Sequence, residues 1–229
     1  MTLLSTLFPL LCYFAYNIVV PQVEKLRPSL SAIMNLQRRR WVANAAIRES
    51  PFDAILSGNI MQSVSFLAST AVLLILAVFA VFGQIPALMQ SLASLPLDAK
   101  YSVSQVQFHL VVMLTMFVLA FFAFTLSLRQ FNHFCIMLGA IDHDTPTSDA
   151  EIDAITEMNI LGARSFNSGV RAYYFSVSTV AWFVSEWATI AACLLTILVL
   201  AQREFFSSAH RTAASAAVVA ARRNKDIAP

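Results

Sequence analysis

Four long apolar stretches occur along the chain, and the segments between them hold most of its charged residues. A helix that crosses the hydrocarbon core of a bilayer needs roughly 20 apolar residues, because its backbone polar groups must be paired within the protein. The stretches that meet this requirement are about 3–20, 64–82, 106–128 and 176–200. The pattern therefore predicts an all-α fold, a polytopic transmembrane helix bundle.

The composition excludes most other classes of protein. Of the 229 residues, 58% are hydrophobic and 12% are charged, about half the charged share of an ordinary soluble domain. Three cysteines without CxxC spacing indicate neither a zinc site nor a disulfide framework. The net charge of +2 is too small for a nucleic-acid surface, so nucleic acid is not an expected partner. Membrane lipids and other membrane subunits are the expected partners.

The charges of the loops predict an orientation. The first loop contains six basic residues, namely Lys25, Arg27, Arg38, Arg39, Arg40 and Arg48. By the positive-inside rule this loop is cytoplasmic, which places the N-terminus outside a bacterial inner membrane. Four crossings are preferred, yet they leave a basic C-terminal tail outside. A break at 185–187 would add a fifth crossing, but 186–200 covers only about 22 Å of helix.

The loops themselves carry signals for helices. Ser50 followed by Pro51 predicts a helix that starts at the proline and continues through the second span. Ser148 and Glu151 form a capping box that starts another helix in the third loop. The first loop is basic and the third is acidic, so we expect these helical cytoplasmic loops to dock on each other. The alternative is two solvated faces that never touch.

Residues 1–208 are expected to form a single transmembrane helical domain. Residues 209–229 are polar and basic, and we expect them to form a flexible tail.

Polar residues near the cytoplasmic ends of the spans form the candidate site. They are Arg129, Asn132, Arg164, Asn167 and Arg171. Arginine donates paired hydrogen bonds to phosphate and carboxylate, and amides can set the orientation of such a group. One hypothesis is therefore a shared site for an anion or a lipid headgroup. The alternative is that the arginines reach lipid phosphates individually while the amides cap helix ends.

Glu186 is the one acidic residue inside the predicted spans. A carboxyl group at membrane depth is a candidate for a proton or cation relay. Trp182 and Trp187 flank it, as aromatic residues do near a membrane surface, which favours a position away from the midplane. Residues 142–144, Asp-His-Asp, resemble metal ligands, but adjacent side chains diverge and no second cluster completes the set. No metal or cofactor is expected.

Six sequence blocks occur over most of the chain up to about residue 208: RRRW (38–41), QSVSFLAST (62–70), FTLSLRQFN (124–132), FNSGVRAYYF (166–175), AWFVSEW (181–187) and QREFFS (202–207). Together and in this order they resemble the bacterial and plant membrane family known as domain of unknown function 599. The family commonly has arginine where this chain has Gln62, and proline where it has Glu186. The resemblance implies a multi-span membrane protein and brings no activity or cofactor with it.

The sequence contains no motif of an ordinary hydrolase or of a nucleoside triphosphatase, so we expect a protein that is not an enzyme. The preferred hypothesis is a homo-oligomer or an accessory subunit of a larger membrane complex. The alternative is a small channel or transporter with a basic cytoplasmic site, and an enzyme acting on lipid is a weaker third. A water-filled path lined by Ser65, Ser69 and Thr125 would support conduction, whereas a dry bundle with an exposed apolar face would contradict it.

Overall fold

The computed structural model describes residues 2–48, 50–94 and 101–227. The regular elements of the described residues are all helical. They are α1 (Thr2–Glu24), α2 (Leu30–Ala45), α3 (Pro51–Phe82), α4 (Ile85–Ser94), α5 (Val103–Gly139), α6 (Asp149–Val180), a 3₁₀ turn (Ala181–Phe183), α7 (Glu186–Phe205) and α8 (Ser208–Ile227).

Four helical segments are long and apolar enough to cross a membrane. They are Leu3–Glu24, Pro51–Phe82, Val103–Gly139 and Glu186–Val219. This confirms the predicted all-α fold with four candidate membrane-spanning helices. The start of α3 at Pro51 also agrees with the sequence, and the Ser50 hydroxyl caps it by accepting a hydrogen bond from the Phe52 amide at 3.2 Å.

The chain divides into two compact units, and most of the long helices contribute to both. The first unit contains Met1–Ile18, Val64–Thr125 and Ser165–Leu198. The second unit contains Val19–Ser63, Leu126–Arg164 and Val199–Pro229. Residues of the C-terminal tail contribute to the second unit. The expected single domain with a separate tail stays a prediction.

The first unit is built on close helix approaches and buried aromatic rings. Gly169 of α6 lies against the buried ring of Phe124 on α5, an approach that is possible because glycine has no side chain. Trp182 is fully buried and stacks on His109 and Tyr101, with both pairs of ring centroids 4.2 Å apart. Apolar residues of α3, α4 and α5 pack around it. They include Val78, Ile85, Val106, Leu110 and Met113.

The fourth predicted span, 176–200, is not one continuous helix. α6 ends at Val180, and after the 3₁₀ turn α7 begins at Glu186. The Ser178 and Thr196 hydroxyl oxygens lie 2.8 Å apart, whereas an uninterrupted helix would separate 18 residues by about 27 Å. The chain therefore reverses at this break and forms a helical hairpin within the first unit.

Most of the C-terminal tail lies in α8 (Ser208–Ile227), and its expected flexibility stays a prediction. Within the second unit α8 packs against α2. His210 donates a hydrogen bond to the Pro28 carbonyl at 3.0 Å, and the Arg27 guanidinium lies 4.3 Å from the Phe206 ring centre. These contacts help to stabilise α8, because a helix that packs on a neighbour depends less on its own propensity.

Candidate functional site

Arg171 and Asn167 of the candidate anion site lie on α6 in the first unit. The Arg171 guanidinium donates to the Asn17 side-chain oxygen at 3.0 Å and lies 5.2 Å from the Tyr16 ring centre. The guanidinium is thus engaged with α1, a contact that the sequence analysis did not anticipate. Nothing in the spacing of Asn17 and Arg171 along the chain indicates that they meet.

The other three residues of that set belong to the second unit. Arg129 and Asn132 are exposed on α5, three positions apart and therefore on one helix face. Arg164 is exposed and forms an ion pair of 3.2 Å with Glu157 on its own helix. The structure thus distributes the five residues between two units, and their joint action on one anion stays a prediction.

Glu186 is half-buried and is the first residue of α7. The preceding Ser185 caps the helix by accepting a hydrogen bond from the Ala188 amide at 3.0 Å. An acid in the first turn is favoured by the partial positive charge of a helix N-terminus, which explains Glu186 without a relay. The flanking tryptophans differ, since Trp187 is 67% exposed whereas Trp182 is fully buried.

The predicted docking of the first and third loops is confirmed within the second unit. Arg39 of α2 donates to Asp153 at 2.6 Å and to Asp149 at 3.0 Å, both on α6. These hydrogen bonds raise the pKa of the Arg39 guanidinium. An apolar core lies beside the ion pairs, built from buried residues of α2, α5, α6 and the adjoining turns. It contains Val42, Ala46, Phe134, Ile141 and Ile155.

Replacing Arg39 with glutamine is expected to speed chymotryptic cleavage within α2 at low salt by about two- to threefold, the scale of an exposed ion pair. High salt should reduce the difference, because ions screen such pairs. The measurement is the rate of cleavage of the full chain in lipid nanodiscs. Lys25→Gln, in the same basic loop, is the matched control. Equal rates for both variants at low salt would show that these ion pairs do not hold the loops together.

Asp53 is the centre of a second polar contact that the sequence analysis missed. It is buried near the start of α3 and accepts a hydrogen bond of 2.6 Å from the Trp41 indole. Arg48 approaches the same carboxylate with two nitrogens, at 2.8 and 3.3 Å. The bonds to Asp53 raise the pKa of Arg48. The sequence signals Asp53 only as a first-turn acid, a role that requires no partner outside its helix.

A cavity of about 350 Å³ opens beside this carboxylate in the second unit. The residues that line it come from the end of α2, the first part of α3, the end of α5 and the adjoining turns. They are Ala45, Arg48, Ser50, Asp53, Ala54, Ser57, Gly58, Met61, Cys135, Leu138, Gly139 and His143.

His143 lies at the cavity wall, with Nδ1 3.2 Å from the Ala46 carbonyl oxygen. The neighbouring Asp142 instead accepts hydrogen bonds from the Asp144 amide and the Thr145 hydroxyl, both at 3.0 Å. Asp142 therefore shapes the turn while His143 faces a different partner. Among the residues that the structure describes, no three His, Cys, Asp or Glu side chains are grouped so that they could hold a metal ion.

The outward face of α3 is apolar, and no other segment among the described residues covers it. Only 22% of its most apolar window is buried, compared with 44% for α5. The small residues Ser65 and Ser69 are exposed on this helix. Large exposed side chains continue along it, namely Phe66, Val72, Leu73, Leu76 and Phe79. This set of residues is called the α3 outer face below.

Comparison with known proteins identifies a family. The model of a family described as "Protein of unknown function, DUF599" matches residues 4–209, which is most of the chain. Neither a curated protein nor a solved structure matches the chain. The match agrees with the resemblance seen in the sequence blocks, and the chain belongs to the DUF599 family of proteins of unknown function.

Proposed function

We propose that the protein is a non-enzymatic membrane protein that works as a homo-oligomer, associating through the α3 outer face. The observation that carries this proposal is the small buried share of α3. Only 22% of its most apolar window is buried, the same share as in the fourth candidate span and less than in the other two. Exposed Ser65 and Ser69 are four residues apart on that face, and small residues at this spacing let two helices approach closely in a bilayer. Lipid covers the remaining apolar surface.

The same observation weighs against conduction through the chain itself. Ser65, Ser69 and Thr125 are the residues that would line a polar path, and all three are exposed. The Thr125 hydroxyl donates to the Phe121 carbonyl of its own helix at 2.8 Å, which satisfies it without water. An oligomer seam accommodates exposed serines more readily than a lipid-facing surface does.

The proposed topology is five crossings of a bacterial inner membrane, with an external N-terminus and with α2 and α8 on the cytoplasmic side. Packing of α2 against α8 supports it, because two segments on one side of a membrane are joined by an even number of crossings. α3 and α5 supply two, and the hairpin of α6 and α7 supplies two more. α7 contains 20 residues and spans about 30 Å, so it is long enough to cross.

A cysteine at position 69 tests the oligomer. Ser69→Cys in a Cys135→Ser background is expected to form a disulfide-linked dimer when membranes are treated with a mild oxidant, because the two copies approach at this face. Leu195→Cys is the matched control, since Leu195 is 62% exposed on α7 and outside the proposed seam. The readout is the dimer fraction on a non-reducing gel, expected to exceed that of the control at least fivefold, consistent with a specific close approach.

Two results would contradict the oligomer. One is a dimer fraction that is equal for the Ser69→Cys and Leu195→Cys variants. The other is a monomeric mass in mild detergent together with no cross-link at either position. A Ser69→Cys adduct to a different chain would favour the accessory-subunit form of the hypothesis over the homo-oligomer.

A further inference from the structure

The cavity beside Asp53 has the properties of a ligand site, and it is independent of the α3 outer face. Its volume of about 350 Å³ lies within the range of roughly 300–1,000 Å³ in which proteins bind small molecules. Two glycines line it, Gly58 and Gly139, and a Cβ atom added at either would meet nothing within 4 Å. The space beside them is open.

A buried hydroxyl group in the cavity wall supplies a second, independent observation. Ser57 is only 5% exposed, and its side-chain oxygen has no hydrogen-bond partner among the described residues. Buried polar groups in proteins are nearly always paired, so an exception requires an explanation. Ser57 lies one helical turn after Asp53 and on the same face of α3, which directs both residues to the cavity.

The charged groups of the wall neutralise each other. Asp53 and Arg48 form an ion pair, and the Trp41 indole donates a further hydrogen bond to the carboxylate. A charged ligand would have to compete with this pair, whereas a neutral ligand would not. Most of the remaining lining is apolar, with Ala45, Ala54, Met61 and Leu138 among its residues. The wall therefore favours a molecule that is neutral and mostly apolar.

The polar groups that remain available match a hydroxyl. The carbonyl of Ala46 can only accept, so His143 donates to it from Nδ1, and the Ser57 hydroxyl is the polar group of the wall that has no partner among the described residues. Ser57 can both donate and accept. We propose that this cavity binds a small, neutral, mostly apolar molecule that carries a hydroxyl group, with the Ser57 side chain as its hydrogen-bond partner.

Cys135 provides a reporter, because it lines the cavity with its sulfur 3.8 Å from that of Met61. The experiment measures the rate at which N-ethylmaleimide alkylates Cys135 in the full chain in lipid nanodiscs, by peptide mass spectrometry. Three probes share a six-carbon chain and differ in the polar group: hexan-1-ol, hexanoate and hexylamine. Hexan-1-ol is expected to slow alkylation at least fivefold, and the two ions less than twofold, because an ion would have to compete with the Asp53–Arg48 pair.

Ser57→Ala should raise the hexan-1-ol concentration for half-protection about tenfold, the effect of losing one buried hydrogen bond. Ser63→Ala is the matched control on the same helix, because its exposed hydroxyl already donates to the Asn59 carbonyl and does not line the cavity. It should leave protection unchanged. Gly58→Leu fills the open space and should remove the dependence of alkylation on hexan-1-ol.

Three outcomes would overturn the proposal. Protection by hexanoate equal to or stronger than that by hexan-1-ol would show that the site does not select a neutral ligand. Equal protection in the Ser57→Ala and Ser63→Ala variants would remove Ser57 from the site. No protection by any of the three probes would show that the cavity does not take a ligand of this class.

Discussion

Replacing Gly169 with alanine is expected to destabilise the protein by about 1–3 kcal/mol, the usual penalty for overpacking a filled core. A Cβ atom at this position would lie 2.6 Å from Cε1 and 2.8 Å from Cδ1 of Phe124. Phe124 cannot move aside freely, because its ring is fully buried and packs against Phe166 and Tyr173. The measurement is the thermal or denaturant unfolding of the full chain in mild detergent.

Gly58→Ala is the matched control, since the added methyl group meets nothing within 4 Å. Alanine is the better helix former by up to about 1 kcal/mol, so this variant should be as stable as the parent or slightly more stable. Combining Gly169→Ala with Phe124→Leu should recover part of the loss, which a double-mutant cycle measures. A Gly169→Ala protein as stable as Gly58→Ala would show that α5 and α6 do not approach as closely as the structure has them.

Hydrophobic length and local capping signals were sufficient to predict α3. α3 begins at Pro51 and ends at Phe82, as the Ser-Pro start and the apolar run indicate. These features are local, because each depends on residues within a turn or within one span. The docking of α2 on α6 was one of two outcomes that the sequence left open. The opposite net charges of the two loops favoured contact, and Arg39 does pair with Asp149 and Asp153.

The hairpin between α6 and α7 was harder to predict for a physical reason. No glycine or proline interrupts 176–200, and only the Ser185 cap and Glu186 indicate a helix start. The reversal depends on tertiary contacts instead, among them the stacking of Trp182 between Tyr101 and His109. Hydropathy does not register such contacts, because an apolar residue contributes equally to one long helix and to two packed ones.

In the candidate site, too, contacts within one helix could be predicted from the sequence, whereas contacts between distant segments could not. An arginine near the end of a span has the same sequence appearance whether it binds lipid phosphate, pairs with a neighbouring acid or crosses to another helix. Arg164 pairs with Glu157, which lies seven residues, or about two turns, earlier on the same helix. Arg171 instead bonds to Asn17, 154 residues distant. The cavity at Ser57 likewise requires residues from α3 and α5 that only the fold brings together.

The proposed five crossings predict that the tail and the first loop react together with an impermeant reagent. Asn44→Cys on α2 and Ser215→Cys on α8 are exposed positions in the second unit. Ser91→Cys on α4 is exposed and follows one crossing after the first loop, so it should be on the opposite side of the membrane. The measurement is labelling by a charged maleimide in right-side-out and inside-out vesicles, in a Cys135→Ser background.

Inside-out vesicles should label positions 44 and 215 and spare position 91, and right-side-out vesicles should do the reverse. The expected contrast is nearly all-or-none, because a charged reagent does not cross the hydrocarbon core. Labelling of 215 together with 91 would mean an odd number of crossings between α2 and α8, and these helices could then not pack together. The result therefore decides between four and five crossings. The five-crossing topology also accounts for the basic tail, since it places every strongly basic segment on the same side of the membrane.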